Sequence, residues 1–161
     1  YCDPQMIPEE SVKRYIGNVD ENDEYFRWNY VVKQKELINT IQQTLQIRIS
    51  KILELNPLKK GKSGRIIKLG IDYYDLKGQV QTLIIDSEYH IRNILSESFL
   101  FSSAFTVKEQ NGDFLLHGKG WGHGVGLCQI GALGMALANK KADEILNHYY
   151  PQTTLQTIYK L

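Results

Sequence analysis

Residues 118–126 read Gly-Lys-Gly-Trp-Gly-His-Gly-Val-Gly, and this glycine segment is the most informative part of the chain. In an extended backbone, period-two geometry would place the glycines on one face and the larger residues on the other. Those larger residues are Lys119, Trp121, His123 and Val125. Because glycine loses much conformational entropy on folding, the segment predicts either close approach of another backbone or a ligand, or positive φ at several positions.

The local pattern also leaves other interpretations open. The segment could be a glycine-rich turn that holds a buried Trp121 and a hydrogen-bonded His123. A nucleotide-binding loop is disfavoured, because no GxGxxG register follows an apolar strand and the Gly-Lys-Ser/Thr ending of a P-loop is absent. A metal site made of His117, His123 and Cys128 would have irregular ligand spacing. We therefore predict neither a metal nor a cofactor.

A helix rich in small residues is predicted directly after the glycine segment, at 127–138, and should pack closely against its neighbours. Its first N–H groups would point back at the glycine segment, which favours a bound carboxylate or oxyanion. A second helix is predicted at 142–149, with Asp143 and Glu144 in its first turn and Pro151 after its end. A strand is expected at 154–161.

Upstream of the glycine segment, hydrophobic periodicity predicts helices and strands in mixed order. Helices are expected at 9–16, over the apolar repeat Leu37, Ile38, Ile41, Leu45 and Ile49, and at 90–95 after a start at 86–88. Strands are expected at 26–32, 51–55, 65–74, 79–85, 105–109 and 114–117, with turns at 75–78 and 111–113 and an acidic loop at 20–24. The predicted fold is α+β, a twisted antiparallel sheet packed by several helices, with 1–161 as a single domain or lobe.

Composition excludes several classes of protein. The 161 residues are 42% hydrophobic and 23% charged, with a formal net charge of +1, so no global field would recruit nucleic acid. No apolar run is long enough to span a membrane. Cys2 and Cys128 form no CxxC motif, so they indicate neither a disulfide framework nor a zinc knuckle. The start at Tyr1 without Met predicts a fragment of a longer precursor.

The glycine segment and the residues after it resemble the C-terminal signature of the stage II sporulation protein D and LytB amidase-enhancer (SpoIID/LytB) family. The matching positions are 118–126, Gln129, Gly131, Ala132, Met135, Ala136, 144–146, 148–151, Thr153 and Leu155. Matches at so many positions over roughly 40 residues are specific. A weaker central pattern, at 63–65, Ile91, Arg92, Leu95, Ser103 and Phe105, extends the resemblance over most of the chain.

The chain also departs from the family pattern. Cys128 stands where the family usually has Ser, Ile130 where it has Tyr, and Gln152 where it has Gly. The family's Glu-Met-Pro segment, which carries the catalytic glutamate of its lytic transglycosylases, is absent, as are the Ala-rich helix and the Cys-Gly-Gly segment that follow it. We therefore expect the catalytic acid upstream of Tyr1. Substitutes are hard to find, the best placed carboxylates being Glu88, Glu97 and Glu109.

The resemblance implies a full-length lytic transglycosylase that cleaves cell-wall glycan strands, with this chain supplying the substrate groove. The alternatives are a non-catalytic amidase enhancer and a cell-wall binding module. The implied substrate-binding residues are Lys119, Trp121, His123, Gln129 and Tyr150. Trp121 would stack on a sugar, His123 and Gln129 would hydrogen-bond hydroxyls or orient the acid, and Tyr150 or Tyr149 would close the rim, although core packing is the alternative for both tyrosines.

The remaining implications concern partners and compartment. The expected partners are peptidoglycan glycan strands, with a cell-wall amidase as a further candidate and nucleic acid excluded. The expected location is extracytoplasmic, in the cell envelope or secreted. The basic residues at 59–62 predict a solvated loop, with a phosphate or teichoic-acid contact as the alternative.

Overall fold

The computed structural model describes residues 6–16, 26–156 and 158. The chain divides into two compact units. The first, here called the sheet unit, is formed by residues 24–123, and the second, the helical unit, by residues 1–23 and 124–161. The boundary between them therefore falls inside the glycine segment, between His123 and Gly124.

Helices and strands are mixed along the chain. In chain order they are α1 (Glu9–Ile16), β1 (Arg27–Val32), α2 (Gln34–Leu45), β2 (Lys51–Lys60), β3 (Ile66–Tyr74), β4 (Val80–Asp86), α3 (Glu88–Leu95), β5 (Phe105–Gln110), β6 (Asp113–Lys119), α4 (Gln129–Leu137) and α5 (Ala142–Tyr149). The expected α+β class and antiparallel pairing are confirmed.

The strands of the sheet unit form two three-stranded antiparallel sheets, with the orders β1-β6-β5 and β2-β3-β4. In the first sheet the side chains alternate as expected for strands with one buried face. Trp28 and Val32 of β1 are buried together with Phe114 and Leu116 of β6. Tyr30, between Trp28 and Val32, is partly buried and packs against the same core. The outward face of this sheet is mostly polar and charged, and it also carries the apolar cross-strand pair of Val31 and Leu115.

Both helices of the sheet unit contribute apolar faces to the same hydrophobic cluster as the strands. Leu37 and Ile41 of α2 are buried at the predicted spacing, whereas Leu45 is exposed and Ile49 lies beyond the end of the helix. In α3, Ile91 and Leu95 are buried. The Ser87 side chain accepts a hydrogen bond from the backbone N–H of His90, which caps the first turn of α3. A polar residue before the apolar repeat thus begins this helix where predicted.

The turns and element ends agree with the predictions in most places. Asp75 N–H donates to the carbonyl of Gln79, which confirms the hairpin between β3 and β4. β2 extends to Lys60, so the expected loop at 59–62 is wrong for its first two residues, because antiparallel pairing with β3 continues there. Residues 154–156 and 158 form no strand, and the acidic loop expected at 20–24 lies outside the described residues.

The helical unit contains α1, α4 and α5. In α4 the small residues Gly131 and Gly134 are buried together with Met135, as close packing of this helix predicted. Helix α5 has the bounds expected from its acidic first turn and the following Pro151. None of the helices in the described ranges combines the length and apolar character that crossing a bilayer requires.

Candidate functional site

The backbone of the glycine segment is not an extended strand beyond its first residues. β6 ends at Lys119, and from there φ is positive at every glycine of the segment, with values of 63° at Gly120, 73° at Gly122, 70° at Gly124 and 81° at Gly126. This confirms the expectation of positive φ at several positions, a conformation that residues with a Cβ rarely adopt. The extended arrangement, in which all the glycines would share one face, does not occur beyond Lys119.

Gly118, by contrast, meets the expectation of close approach. A Cβ built on this residue would lie 2.0 Å from Cζ2 of Trp28. The Trp28 side chain is 1% exposed, and its Nε1 donates a hydrogen bond of 3.0 Å to the carbonyl of Gly120. Trp28 therefore fills the space left by one glycine and holds the backbone at the next.

Arg65 fixes the middle of the glycine segment. Its Nε donates to the carbonyl of Gly122 at 2.7 Å, and its NH2 group donates to the carbonyl of Trp121 at 2.9 Å. The Gly122 N–H in turn donates to the carbonyl of Phe101 at 2.9 Å. Sequence reasoning placed Arg65 only in a weak family pattern. Its separation of 57 residues from Gly122 left no local signal for this role.

Trp121 combines the two alternatives considered for it. Its ring stacks on Phe101, with centroids 5.1 Å apart and planes 17° from parallel, and it packs against the core cluster. Phe101 also contacts the buried Trp28, at 5.5 Å between centroids. The Trp121 side chain remains only partly buried. It is thus an indole with one side supported by the core and part of its surface accessible.

Lys119 and His123 flank Trp121 within the sheet unit, and both are exposed. Lys119 ends β6, and its N–H donates to the carbonyl of Ala104 at 2.9 Å. Across the sheet it is the direct partner of Arg27. Three of the five predicted substrate-binding residues therefore lie within 119–123 on one unit.

Gln129 and Tyr150 lie in the helical unit. Gln129 is the first residue of α4 and is exposed. The Tyr150 hydroxyl accepts a hydrogen bond of 3.2 Å from the N–H of Leu127 and lies 3.3 Å from where a Cβ on Gly126 would be. Tyr150 thus holds the end of the glycine segment, while Tyr149 is partly buried. That all five residues line one groove stays a prediction.

The three glutamates considered as substitutes for the catalytic acid either interact with other groups of the fold or are exposed to solvent. Glu88 forms an ion pair with Arg92, with 3.2 Å between Oε1 and NH1, and both side chains are largely buried. Glu109 Oε1 accepts from the N–H of Gly112 at 2.6 Å in the β5–β6 turn. Glu97 is exposed just after α3. None of these carboxylates lies in the glycine segment.

The residues that depart from the family pattern lie at the start of α4 and after the end of α5. The Cys128 side chain caps α4, its Sγ accepting from the N–H of Gly131 at 3.3 Å. A serine at this position would perform the same role. Gln152 has a φ of 69°, a left-handed conformation in which glycine avoids the strain that a side chain imposes. Ile130 is partly buried in the first turn of α4.

No metal-binding cluster of three or more His, Cys, Asp or Glu occurs within residues 6–16, 26–156 and 158. His117, one of the three residues considered for such a site, has its Nδ1 2.6 Å from Oδ1 of Asn29. This contact places the His117 ring on the outward face of the first sheet, beside its cross-strand partner.

Comparison with known proteins relates the chain to others by sequence. It is 38% identical over 139 residues to an uncharacterized protein of Brachyspira hyodysenteriae, which covers 84% of this chain and 35% of that protein. It is 27% identical over 135 residues to the amidase enhancer of Bacillus subtilis, covering 79% of this chain and 18% of that protein.

The stage II sporulation protein D of Bacillus amyloliquefaciens is 38% identical over 73 residues, which cover 45% of this chain and 21% of that protein. The chain thus spans about a third or less of the length of these relatives. The resemblance to the SpoIID/LytB family is supported as a partial relationship. A family model described as a domain of unknown function, DUF8618, matches residues 5–126, and the chain therefore belongs to the DUF8618 family.

Proposed function

We propose that the protein containing this chain processes peptidoglycan, and that the glycine segment contributes a surface that binds glycan strands. One observation carries the proposal: a partly accessible Trp121, backed by Phe101, lies in the segment that resembles the SpoIID/LytB signature. The name of the Bacillus subtilis relative, amidase enhancer, supports a role at the cell wall.

Trp121 has the properties of a sugar platform. Indole rings in binding sites pack against the apolar faces of ligands, and a ring that is already fixed loses little entropy on binding. Here Phe101 supports one side of the indole, and Arg65 holds the Trp121 carbonyl. The platform is therefore formed before the glycan arrives.

Polar groups near the platform would select the ligand. His123 can donate from one ring nitrogen and accept at the other, which suits sugar hydroxyls or an acid that needs orientation. Lys119 can bind a hydroxyl or carboxylate of the same strand. Gln129 and Tyr150 belong to the helical unit and are candidates because the family resemblance implies them; the Tyr150 hydroxyl accepts a hydrogen bond from the Leu127 N–H.

The chemistry of the complete protein follows one of two routes. Cleavage by a lytic transglycosylase needs a carboxylic acid that protonates the glycosidic oxygen and then assists attack by the muramyl 6-hydroxyl. We assign that acid to the protein outside this chain. The alternative is a non-catalytic enhancer of a cell-wall amidase. We favour an enhancer over a binding module without such a role, because the alignment with the amidase enhancer covers 79% of this chain.

The proposal is tested by cosedimentation of the 161-residue chain with purified sacculi and with glycan strands stripped of peptide. We expect binding without release of anhydro-muropeptides. Trp121→Leu, which keeps apolar contact with Phe101 but removes the ring, should weaken binding by on the order of 1–3 kcal/mol. Tyr89→Ala is the control, since Tyr89 is an exposed aromatic residue that, like Trp121, contacts a phenylalanine, Phe99.

Unchanged binding by Trp121→Leu would reject the platform, and release of anhydro-muropeptides by this chain alone would reject an acid located elsewhere. Adding the purified full-length protein to a cell-wall amidase separates the two routes. Faster peptide release without glycan cleavage identifies an enhancer, whereas anhydro-muropeptides identify a transglycosylase.

A further inference from the structure

The outward face of the first sheet carries a repulsive pair of cations. Arg27 of β1 and Lys119 of β6 are direct cross-strand partners, and both are exposed. Like charges directly opposite each other destabilise a sheet. In the part of the chain that the structure describes, ion pairs join other residues but neither of these two. The guanidinium of Arg27 donates to the carbonyl of Phe26 at 2.8 Å, which orients the group without neutralising it.

A cavity of about 430 Å³ opens beside this pair and lies wholly within the sheet unit. A third cation, Lys60 at the end of β2, also lines it. Polar groups come from Asn29, Thr106 and His117, and within the described part of the chain none of the lining residues is an aspartate or glutamate. The chain as a whole has a formal net charge of only +1, so this cavity concentrates positive charge locally.

Three cross-strand neighbours in the first sheet, Asn29, His117 and Thr106, supply the polar lining of the cavity. His117 is the direct cross-strand partner of Asn29 on one side and of Thr106 on the other. The 2.6 Å contact between His117 Nδ1 and Asn29 Oδ1 fixes the imidazole. The Thr106 hydroxyl remains on the exposed side of β5, where it can donate to a ligand.

We propose that this cavity binds a phosphate group. A phosphate group holds its acceptor oxygens in a tetrahedral arrangement, which allows contacts with the guanidinium of Arg27 and with the ammonium groups of Lys60 and Lys119 from several directions. Bound phosphate would also remove the repulsion between Arg27 and Lys119. The inference does not rest on the proposed glycan binding, because Trp121 does not line the cavity, although Lys119 is among the residues proposed for both sites.

Two sources could supply the phosphate: inorganic phosphate itself and the phosphodiester of an anionic polymer. The first experiment titrates the isotopically labelled 161-residue chain with inorganic phosphate at low ionic strength and follows amide chemical shifts. We expect saturable shifts at 27–29, 104–106 and 117–119, and none when sodium chloride is raised to the same ionic strength. Shifts that never saturate, or that fall elsewhere, would overturn the proposal.

A charge-matched pair of variants tests the cations themselves. Arg27→Gln/Lys60→Gln should weaken phosphate binding by about tenfold or more, because it removes two of the three charges. Arg48→Gln/Lys51→Gln removes the same charge from exposed positions outside the cavity and should change the affinity by less than about twofold. Equal losses in the two variants would show a general charge effect and reject the site. Circular dichroism melts confirm that each variant is folded.

Competition identifies the source of the phosphate. If poly(glycerol phosphate) binds more tightly per phosphate than inorganic phosphate does, the ligand is an anionic polymer. Equal affinity per phosphate assigns the site to the free ion. Glutarate, a dicarboxylate, should bind at least about tenfold more weakly than phosphate, and equal binding would overturn the assignment to phosphate. Loss of glycan binding in Trp121→Leu with intact phosphate binding would show that the two surfaces are separate.

Discussion

The indole of Trp28 occupies the space that a side chain at residue 118 would need, 2.0 Å from an ideal Cβ on Gly118. Because Trp28 is buried in the core cluster, its ring cannot move aside without disturbing Phe101 and Phe105, which it contacts. The start of the glycine segment is therefore set by packing, whereas the positions after it are set by backbone conformation.

Gly118→Ala should consequently destabilise the protein by roughly 3 kcal/mol or more, at the upper end of the cost of overpacking. Equilibrium urea unfolding measures the loss. Gly64→Ala is a useful comparison, because no atom lies within 4 Å of the Cβ position at Gly64, and only its φ of 76° opposes a side chain. If Gly118→Ala cost no more than Gly64→Ala, the contact with Trp28 would not be decisive.

Arg65→Lys should loosen the glycine segment. A lysine ammonium cannot reproduce the two N–H donors of the guanidinium that reach the carbonyls of Trp121 and Gly122. Each hydrogen bond from a charged group contributes about 1.5–3 kcal/mol to stability. Amide hydrogen exchange should become faster at 120–123, while exchange in β3 changes little. Arg48→Lys, at an exposed position, serves as the control. Unaltered exchange at 120–123 would mean that the two hydrogen bonds do not hold the segment.

Cys128→Ser should stabilise α4. The thiol of Cys128 is a weak acceptor for the N–H of Gly131, and serine is among the preferred N-cap residues. We expect a gain of about 0.5–1 kcal/mol in the free energy of unfolding for Cys128→Ser. Cys128→Ala should lose a similar amount, because alanine has no side-chain acceptor for the N–H of Gly131. Thermal unfolding of the three proteins would rank them Ser, Cys, Ala. A serine variant less stable than the alanine variant would contradict the capping role.

Ionisation of the Glu144 carboxyl should make the free energy of unfolding depend on pH. The hydrogen bond from the backbone N–H of Lys141, with help from the Lys140 ammonium, holds the pKa of this carboxyl below its ordinary value of 4.5. The folded state thus favours the ionised form, so the stabilisation is complete above pH 4.5 and is lost as the pH falls through the lowered pKa.

Glu144→Gln should therefore lower the melting temperature at pH 7 by at most a few degrees and should lose this difference in strong acid. Asp143→Asn removes a charge from the same helical turn and is the control for the helix dipole. Equal effects of the two substitutions at every pH would exclude a specific role for the Glu144 cap.

Local signals in the sequence predicted more of the fold than of the candidate site. Helix α5 was predicted at 142–149 because its acidic first turn and the following proline are adjacent in sequence. The division of the strands into two sheets depends on register between distant segments, for which the sequence has no local signal. Arg65 and Phe101 were missed as supports of the glycine segment for the same reason, since both act on Trp121 or Gly122 from far away in the chain.

His123 offers the most direct functional test. It is exposed at the end of the sheet unit, between two glycines that provide no side-chain cover, and it lies two residues from the proposed Trp121 platform. An imidazole in this position can contact a sugar hydroxyl or orient a carboxylate, and exposed residues seldom contribute much to folding. His123→Ala in the full-length protein should therefore reduce glycan cleavage or amidase enhancement by at least roughly tenfold while the melting temperature barely changes. His90→Ala, which alters an exposed histidine outside the positions that match the family, should leave activity near that of the unaltered protein. Full activity of His123→Ala would reduce this residue to a loop position, and a collapsed melting temperature would assign it to the structure of the glycine segment.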